Sequence, residues 1–309
     1  MSMTIRVEPS GSPAATGERR AGRASGASSG NPSGLATALA LAPALIVLAY
    51  VFALPIVIMG SYSLRPFSGL AQAGPGWTLA NYGKFFGDLF YWGIVADTLL
   101  LGAIVVAISA VIAYPPAYFL ARTTSRWRSL LVFIVISPLL ISVIIRNLGW
   151  IPLLGRNGLV NTVILGLGLS SEPLALLNNF TGVVIGLVHA LVPFMILSLM
   201  IAIRRIGVDL EEAATGLGAG PFERFRLIVL PLSKSGLLAG CLIVFTLSIS
   251  AFTTVAMMGG KRVLLMATYA EQQVRSGLNY PVGATIAMVL LALTALFSLS
   301  ALRLLRERR

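Results

Sequence analysis

Asp209-Leu210-Glu211-Glu212-Ala213-Ala214-Thr215-Gly216-Leu217-Gly218-Ala219-Gly220-Pro221-Phe222-Glu223-Arg224-Phe225-Arg226-Leu227-Ile228-Val229-Leu230-Pro231 is a polar stretch set between two long apolar runs. Asp209 is placed to cap a helix, and Glu212 three residues on completes the reciprocal pattern. Ala213 and Ala214 favour helix and leave a thin, smooth surface. Gly216, Gly218 and Gly220 then interrupt the helix and permit a tight turn. Pro221 suits the first position of a second helix. Phe222, Phe225, Ile228 and Val229 fall near helical spacing on one face, and Pro231 ends the element. The spacing predicts a half-apolar helix–turn–helix hairpin. Such a surface serves a partner or packs on the chain's own helix ends, and the residues alone leave both readings open.

The flanks define the rest. Only 11% of the 309 residues are charged and 57% are hydrophobic, against about 25% charged in a soluble domain. Stretches without a charge run over Ala24–Leu64, Thr98–Ala121, Ser129–Ile145, Pro173–Ile203, Ser235–Gly260 and Ser276–Leu302. A helix crossing a bilayer needs about 20 apolar residues. The expectation is an all-α, polytopic membrane protein with six transmembrane helices, near 36–60, 95–121, 129–149, 181–203, 236–257 and 281–303. The shorter apolar run Asn157–Ser171 contains three glycines and reads as an interfacial or re-entrant element.

Six spans place both termini and the 204–234 loop on one side. That side would carry 16 of the 23 basic residues, so the positive-inside rule makes it the cytoplasm. The net charge of +12 is thereby a topology signal, spread over short loops, and nucleic acid is not an expected partner. Residues 1–34 are rich in Gly, Ser, Ala, Pro and Arg and read as a disordered cytoplasmic tail; 35–305 form the membrane domain, and 306–309 a short cytoplasmic tail. Arg19, Arg20 and Arg23 precede the first apolar run as in a signal peptide, but the run is too long for one and reads as an uncleaved span. Cys241, the single cysteine, excludes an internal disulfide and reads as a small hydrophobe.

The spacing of Glu212-Ala213-Ala214, Gly218, Ile228, Leu230 and Pro231 resembles the cytoplasmic EAA loop of bacterial ABC-importer permeases. Two further stretches, Tyr114-Pro115-Pro116-Ala117-Tyr118-Phe119-Leu120-Ala121-Arg122 and Leu153-Leu154-Gly155-Arg156-Asn157-Gly158-Leu159-Val160-Asn161, resemble the spermidine/putrescine-type group. The resemblance spans about 36–305. It implies the type I ABC-importer permease fold, and docking of the loop on separate ABC ATPase subunits, with Glu212 as polar anchor and Gly218 making the turn. Ile228, Leu230 and Pro231 tie the hairpin to the next span. It also implies a second homologous permease subunit, a periplasmic solute-binding protein, and an inner-membrane location. ATP and Mg would sit on the ATPase: Gly260-Lys261 is followed by Arg262, so this chain has no P-loop. No cofactor or metal is expected on the chain itself.

Ionisable groups within a membrane mark candidate function. Asp97, at the outer end of the second span, is a solute or gate contact, or has an interface or helix-cap role; family members commonly carry Asn there. Arg146 snorkels, pairs with Asp97 or faces an anionic solute, and Asn147 and Leu148 follow it where relatives commonly show an aromatic residue. His189 makes an interhelical hydrogen bond or lines the pore, and Glu271 with Arg275 stands at a gate or docking surface. One His and one Cys support neither a metal cluster nor a catalytic pair. A stand-alone secondary transporter or channel is the alternative, and it would need coupling carboxylates within the spans, where Asp97 alone comes near.

Overall fold

The computed structural model describes residues 34–69 and 73–306. The expected tails, 1–34 and 306–309, lie outside the described residues except for Gly34, which opens α1, and Arg306, which ends α14. The first elements are α1 (Gly34–Ser63), α2 (Ala80–Gly87), α3 (Leu89–Arg122), α4 (Arg128–Leu140), α5 (Val143–Leu154), α6 (Leu159–Gly166) and α7 (Phe180–Arg204). They are followed by α8 (Val208–Gly216), α9 (Pro221–Arg224), a π-helical turn over Phe225–Val229, and α10 (Leu230–Leu232). The last are α11 (Lys234–Ile249), α12 (Phe252–Met258), α13 (Met266–Arg275) and α14 (Tyr280–Arg306). The described residues contain no strand beyond an isolated bridge between Phe67 and Ala73. Residues to Ala53 form one unit, whose described part is the leading stretch of α1. The packing below lies within the second unit, from Leu54 on.

The all-α expectation holds, and the six expected crossings are met in a modified form. Leu41–Ser63, Leu89–Arg122, Phe180–Arg204 and Tyr280–Ala301 are each long and apolar enough to cross a bilayer. Two bent pairs raise the number to as many as six if each is one span: Arg128–Leu140 with Val143–Gly166, bent by 94°, and Pro221–Leu232 with Lys234–Ile249, bent by 68°. The expected third span, 129–149, is therefore not one helix. Pro138 lies in the last turn of α4, and Ile141 and Ser142 are extended. Proline removes a helical donor and crowds the preceding turn. The Arg146 guanidinium donates to the Pro138 carbonyl at 2.9 Å, which satisfies a group that the ended helix leaves open. The expected fifth span, 236–257, is likewise broken, at Ser250–Ala251 between α11 and α12. The run 157–171 contains only the eight-residue α6, in line with a non-spanning element.

Three helices form the centre. The buried stripe Leu101, Val105, Ala113, Ala117 and Leu120 of α3 repeats at helical spacing. It faces Val183, Leu187, Met195, Leu199 and Ile203 of α7 within one apolar cluster. Helix α11 closes on α7 through small residues. A Cβ at Gly236 would lie 2.8 Å from the Ser198 carbonyl oxygen and collide with the Ala202 side chain. Lipid gives helices no hydrophobic drive to associate, so close backbone approach of this kind supplies the contact energy. A second cluster, Phe85, Tyr91, Ile94, Val95, Met266 and Ile286, gathers α2, α13 and α14 around the start of α3. Outward-facing apolar residues such as Val111, Phe133, Leu296 and Leu299 stay exposed, as a bilayer or partner subunit requires.

Candidate functional site

The hairpin projects where α7 ends. Helix α8 closes with a left-handed residue: Gly218 has φ +90°. The Ala219 amide donates to the Ala214 carbonyl at 2.9 Å and the Gly218 amide to the Thr215 carbonyl at 3.0 Å, the bond pair of a Schellman cap. Gly220 then precedes α9, and its amide donates to the Glu223 carboxylate at 3.0 Å, so Pro221 opens the helix as expected. The Arg224 guanidinium donates to Thr215 Oγ1 at 3.1 Å and fastens the two helices to each other.

Two details differ from the sequence expectation. Gly207, not Asp209, precedes α8, and no side chain caps it. Asp209 lies in the first turn, where its charge still favours the helix dipole. Pro231 does not end the second helix, which continues to Leu232. The π-helical turn just before it sends the Leu230 amide to the Phe225 carbonyl, five residues back. Widening the helix there accommodates a residue with no N–H and a bulky ring.

The expected apolar face of the second helix divides. Phe225 and Ile228 are half-buried against the central cluster and Val229 is fully buried. Phe222 is 72% exposed and Leu217, at the tip, 90% exposed. Glu212 and Ala213 are exposed, Ala214 is half-buried, and Gly218 is exposed with open space around it. Leu230 and Pro231 are half-buried at the root. Leu210, Glu212, Ala213, Leu217 and Phe222 are thus exposed on the hairpin, with the acidic Asp209 and Glu223 exposed beside them.

Glu211, the neighbour of Glu212, was not singled out by sequence and is the buried carboxylate of the hairpin, 5% exposed. It accepts from Tyr118 Oη at 2.6 Å and pairs with Arg122. Arg122 also donates to the Ile206 carbonyl at 3.0 Å. One turn earlier, Tyr114 hydrogen-bonds Ser233 at 3.1 Å and meets the Phe225 ring edge-on at 5.3 Å. The signal was present as the four-residue spacing of Tyr114, Tyr118 and Arg122, which puts them on one helix face.

The intramembrane candidates lie elsewhere. His189 Nδ1 accepts from Trp150 Nε1 at 3.2 Å, an interhelical bond between α7 and α5. Asn147, fully buried, donates to Thr254 of α12 at 3.2 Å. Arg146, Asn147 and Trp150 thus sit on α5, where one broken span meets the other. Asp97 is exposed, and the structure forms no pair between it and Arg146. Glu271 pairs with Arg275 one turn along α13 at 2.7 Å; the pair is largely solvent-exposed and of little energetic weight. At the opposite end of α7 from the hairpin, about 37 Å away by helix length, Arg156, Asn178, Asn179 and Arg262 line a hollow of about 680 Å³ with Leu154, Leu177 and neighbours. Among the described residues no group of His, Cys, Asp and Glu is arranged to hold a metal.

Residues 117–309 match the model of a family described as the binding-protein-dependent transport system inner membrane component. The Haemophilus influenzae spermidine/putrescine transport system permease protein PotB is 36% identical over 71% of this chain and 76% of its own length. The Escherichia coli inner membrane ABC transporter permease protein YdcU is 30% identical over 79% and 80%. Among solved structures, a bacterial ABC transporter involved in alginate import superposes with a TM-score of 0.68 at 18% identity, covering 88% of this chain and 95% of that one. An inward-facing form of the MetNI methionine ABC transporter superposes with a TM-score of 0.53 at 21% identity, over 69% and 94%. The fold is that of the type I importer permeases.

Proposed function

Because this chain belongs to the family of binding-protein-dependent transport system inner membrane components, we propose that it forms half of an ATP-driven import pore and is driven through the 204–234 hairpin by a separate ATPase. The chain is an inner-membrane permease subunit of an ABC importer, with a transport role rather than a catalytic one. The observation that carries the rest is the hairpin itself. Its root is held by part-buried hydrogen bonds and an ion pair, while Glu212, Ala213, Leu217 and Phe222 stand exposed. A rigid base with an unpartnered apolar tip fits a protein cleft.

In this reading the hairpin, both termini and the basic loops face the cytoplasm. Two ATPase subunits bind ATP and Mg and close, drawing together the hairpins of this chain and a homologous second permease. The helices then swing from inward-open to outward-open, and hydrolysis reverses the motion. A periplasmic solute-binding protein delivers solute at the far end of α7, where the arginine-lined hollow opens. Broken spans suit such motion, because irregular backbone within a membrane is tolerated where it lines a cavity. The Arg146, Asn147, Trp150 and His189 region at their meeting is the candidate solute path. The names of the relatives support a small organic solute of polyamine type.

Uptake of radiolabelled spermidine and putrescine tests the solute class. Deleting the gene should lower uptake of one of them about tenfold or more, and the plasmid-borne chain should restore it. Unchanged uptake of both would place the solute outside the polyamines.

A further inference from the structure

We infer that Tyr114, Tyr118 and Arg122 form a three-rung ladder that carries motion of the hairpin into α3, an inference that rests on the coupling reading above. The three residues are four apart and face the hairpin from one side of α3. Each rung holds a different part of it. Tyr114 touches the second helix through Phe225 and the root through Ser233. Tyr118 holds the first helix at Glu211. Arg122 spans Glu211 and the carbonyl of Ile206, so it also fixes the joint between α7 and α8.

The chain itself also joins the hairpin to the bundle, at Gly207, which is non-helical with ψ 136°, and at Ser233, where it turns by 68° into α11. The ladder adds part-buried side-chain contacts to these joints. The carboxylate of Glu211 has both oxygens engaged, and the side chains of Glu211 and Arg122 are 6% and 17% exposed. Removing one charge leaves the other buried and unpaired. The ladder also ends next to the broken third span. Arg128, the first residue of α4, donates from Nε to the Leu120 carbonyl at 3.0 Å, so a displaced α3 end takes α4 with it. Tyr114, Tyr118 and Arg122 are thus positioning residues.

The test uses the importer purified with its ATPase and solute-binding protein, comparing wild type with Arg122→Ala, Tyr118→Phe and the exchange Glu211→Arg/Arg122→Glu. Amide hydrogen exchange at residues 208–217 should quicken about tenfold in Arg122→Ala. The ATPase should still co-purify, but stimulation of ATP hydrolysis by the solute-binding protein should fall about tenfold. The charge exchange should recover part of both, which a general folding defect would not allow. Tyr118→Phe keeps the ion pair and loses one hydroxyl, so it should fold even where Arg122→Ala does not, with a smaller effect in the same direction. Wild-type exchange rates and stimulation in a folded rung variant would overturn the ladder while leaving docking intact. Failure of any ATPase to co-purify with wild type would overturn the coupling reading instead.

Discussion

Gly218→Leu should abolish ATP-driven uptake while the protein remains inserted in the membrane. At φ +90° a residue with a Cβ is strained by about 1–2 kcal/mol. No atom lies within 4 Å of the position a Cβ would take, so the penalty is conformational and not a clash with the chain itself. That amount does not unfold a protein held by the α3–α7–α11 core, but it favours reopening the Schellman cap that aims α9 away from α8. The leucine also adds bulk beside Leu217, on the surface assigned to the ATPase. Both effects act on coupling, so uptake should drop about tenfold or more at normal membrane abundance. ATP-dependent uptake at the wild-type rate would remove the turn from the mechanism.

Gly236→Leu should have the opposite character, failing in assembly rather than in coupling. Its Cβ would meet the Ser198 carbonyl and the Ala202 side chain, neither of which is the end of a flexible chain. Helix α11 must then move away from α7 along a close-packed contact. Overpacking of this kind costs about 3 kcal/mol and sometimes more, enough to lower the melting temperature of the solubilised protein sharply or to remove it from the membrane. Gly93→Leu on α3 is the control, since open space surrounds that position. Equal melting temperatures for both variants would mean that α11 does not depend on the close approach.

Much of this architecture was legible because membrane spans are written in charge-free runs, and a bilayer leaves few ways to satisfy the backbone. The hairpin was legible because Gly218 and Pro221 occupy positions that only a tight turn and a helix start explain. The breaks in the third and fifth spans were not. Hydropathy does not register a bend, and Pro138 is tolerated in many straight-running membrane helices. Arg146 illustrates the same limit. Read as an intramembrane charge, it pointed to solute or to Asp97; folded, it donates to the carbonyl of Pro138 at the break. The division of labour between Glu211 and Glu212 was equally hidden. Which of two adjacent carboxylates turns inward depends on where Tyr118 and Arg122 lie, about 90 residues earlier in the chain. The π-helical turn before Pro231 follows from local backbone relief and has no periodic signature.

The central claim is that the hairpin docks on an ATPase through the face that carries Glu212, and co-purification tests it most directly. Tagged wild-type protein and Glu212→Arg are to be isolated from membranes in several mild detergents. Glu212 is exposed and bonded to nothing among the described residues, so the variant should fold normally. Wild type should recover an ATPase subunit, and the variant should lose it, because an arginine reverses the charge of an exposed acid beside Ala213 on the docking helix. Wild type that recovers no ATPase in any detergent would contradict the account and favour a transporter that acts alone. Equal recovery by both proteins would place the docking contact on another surface.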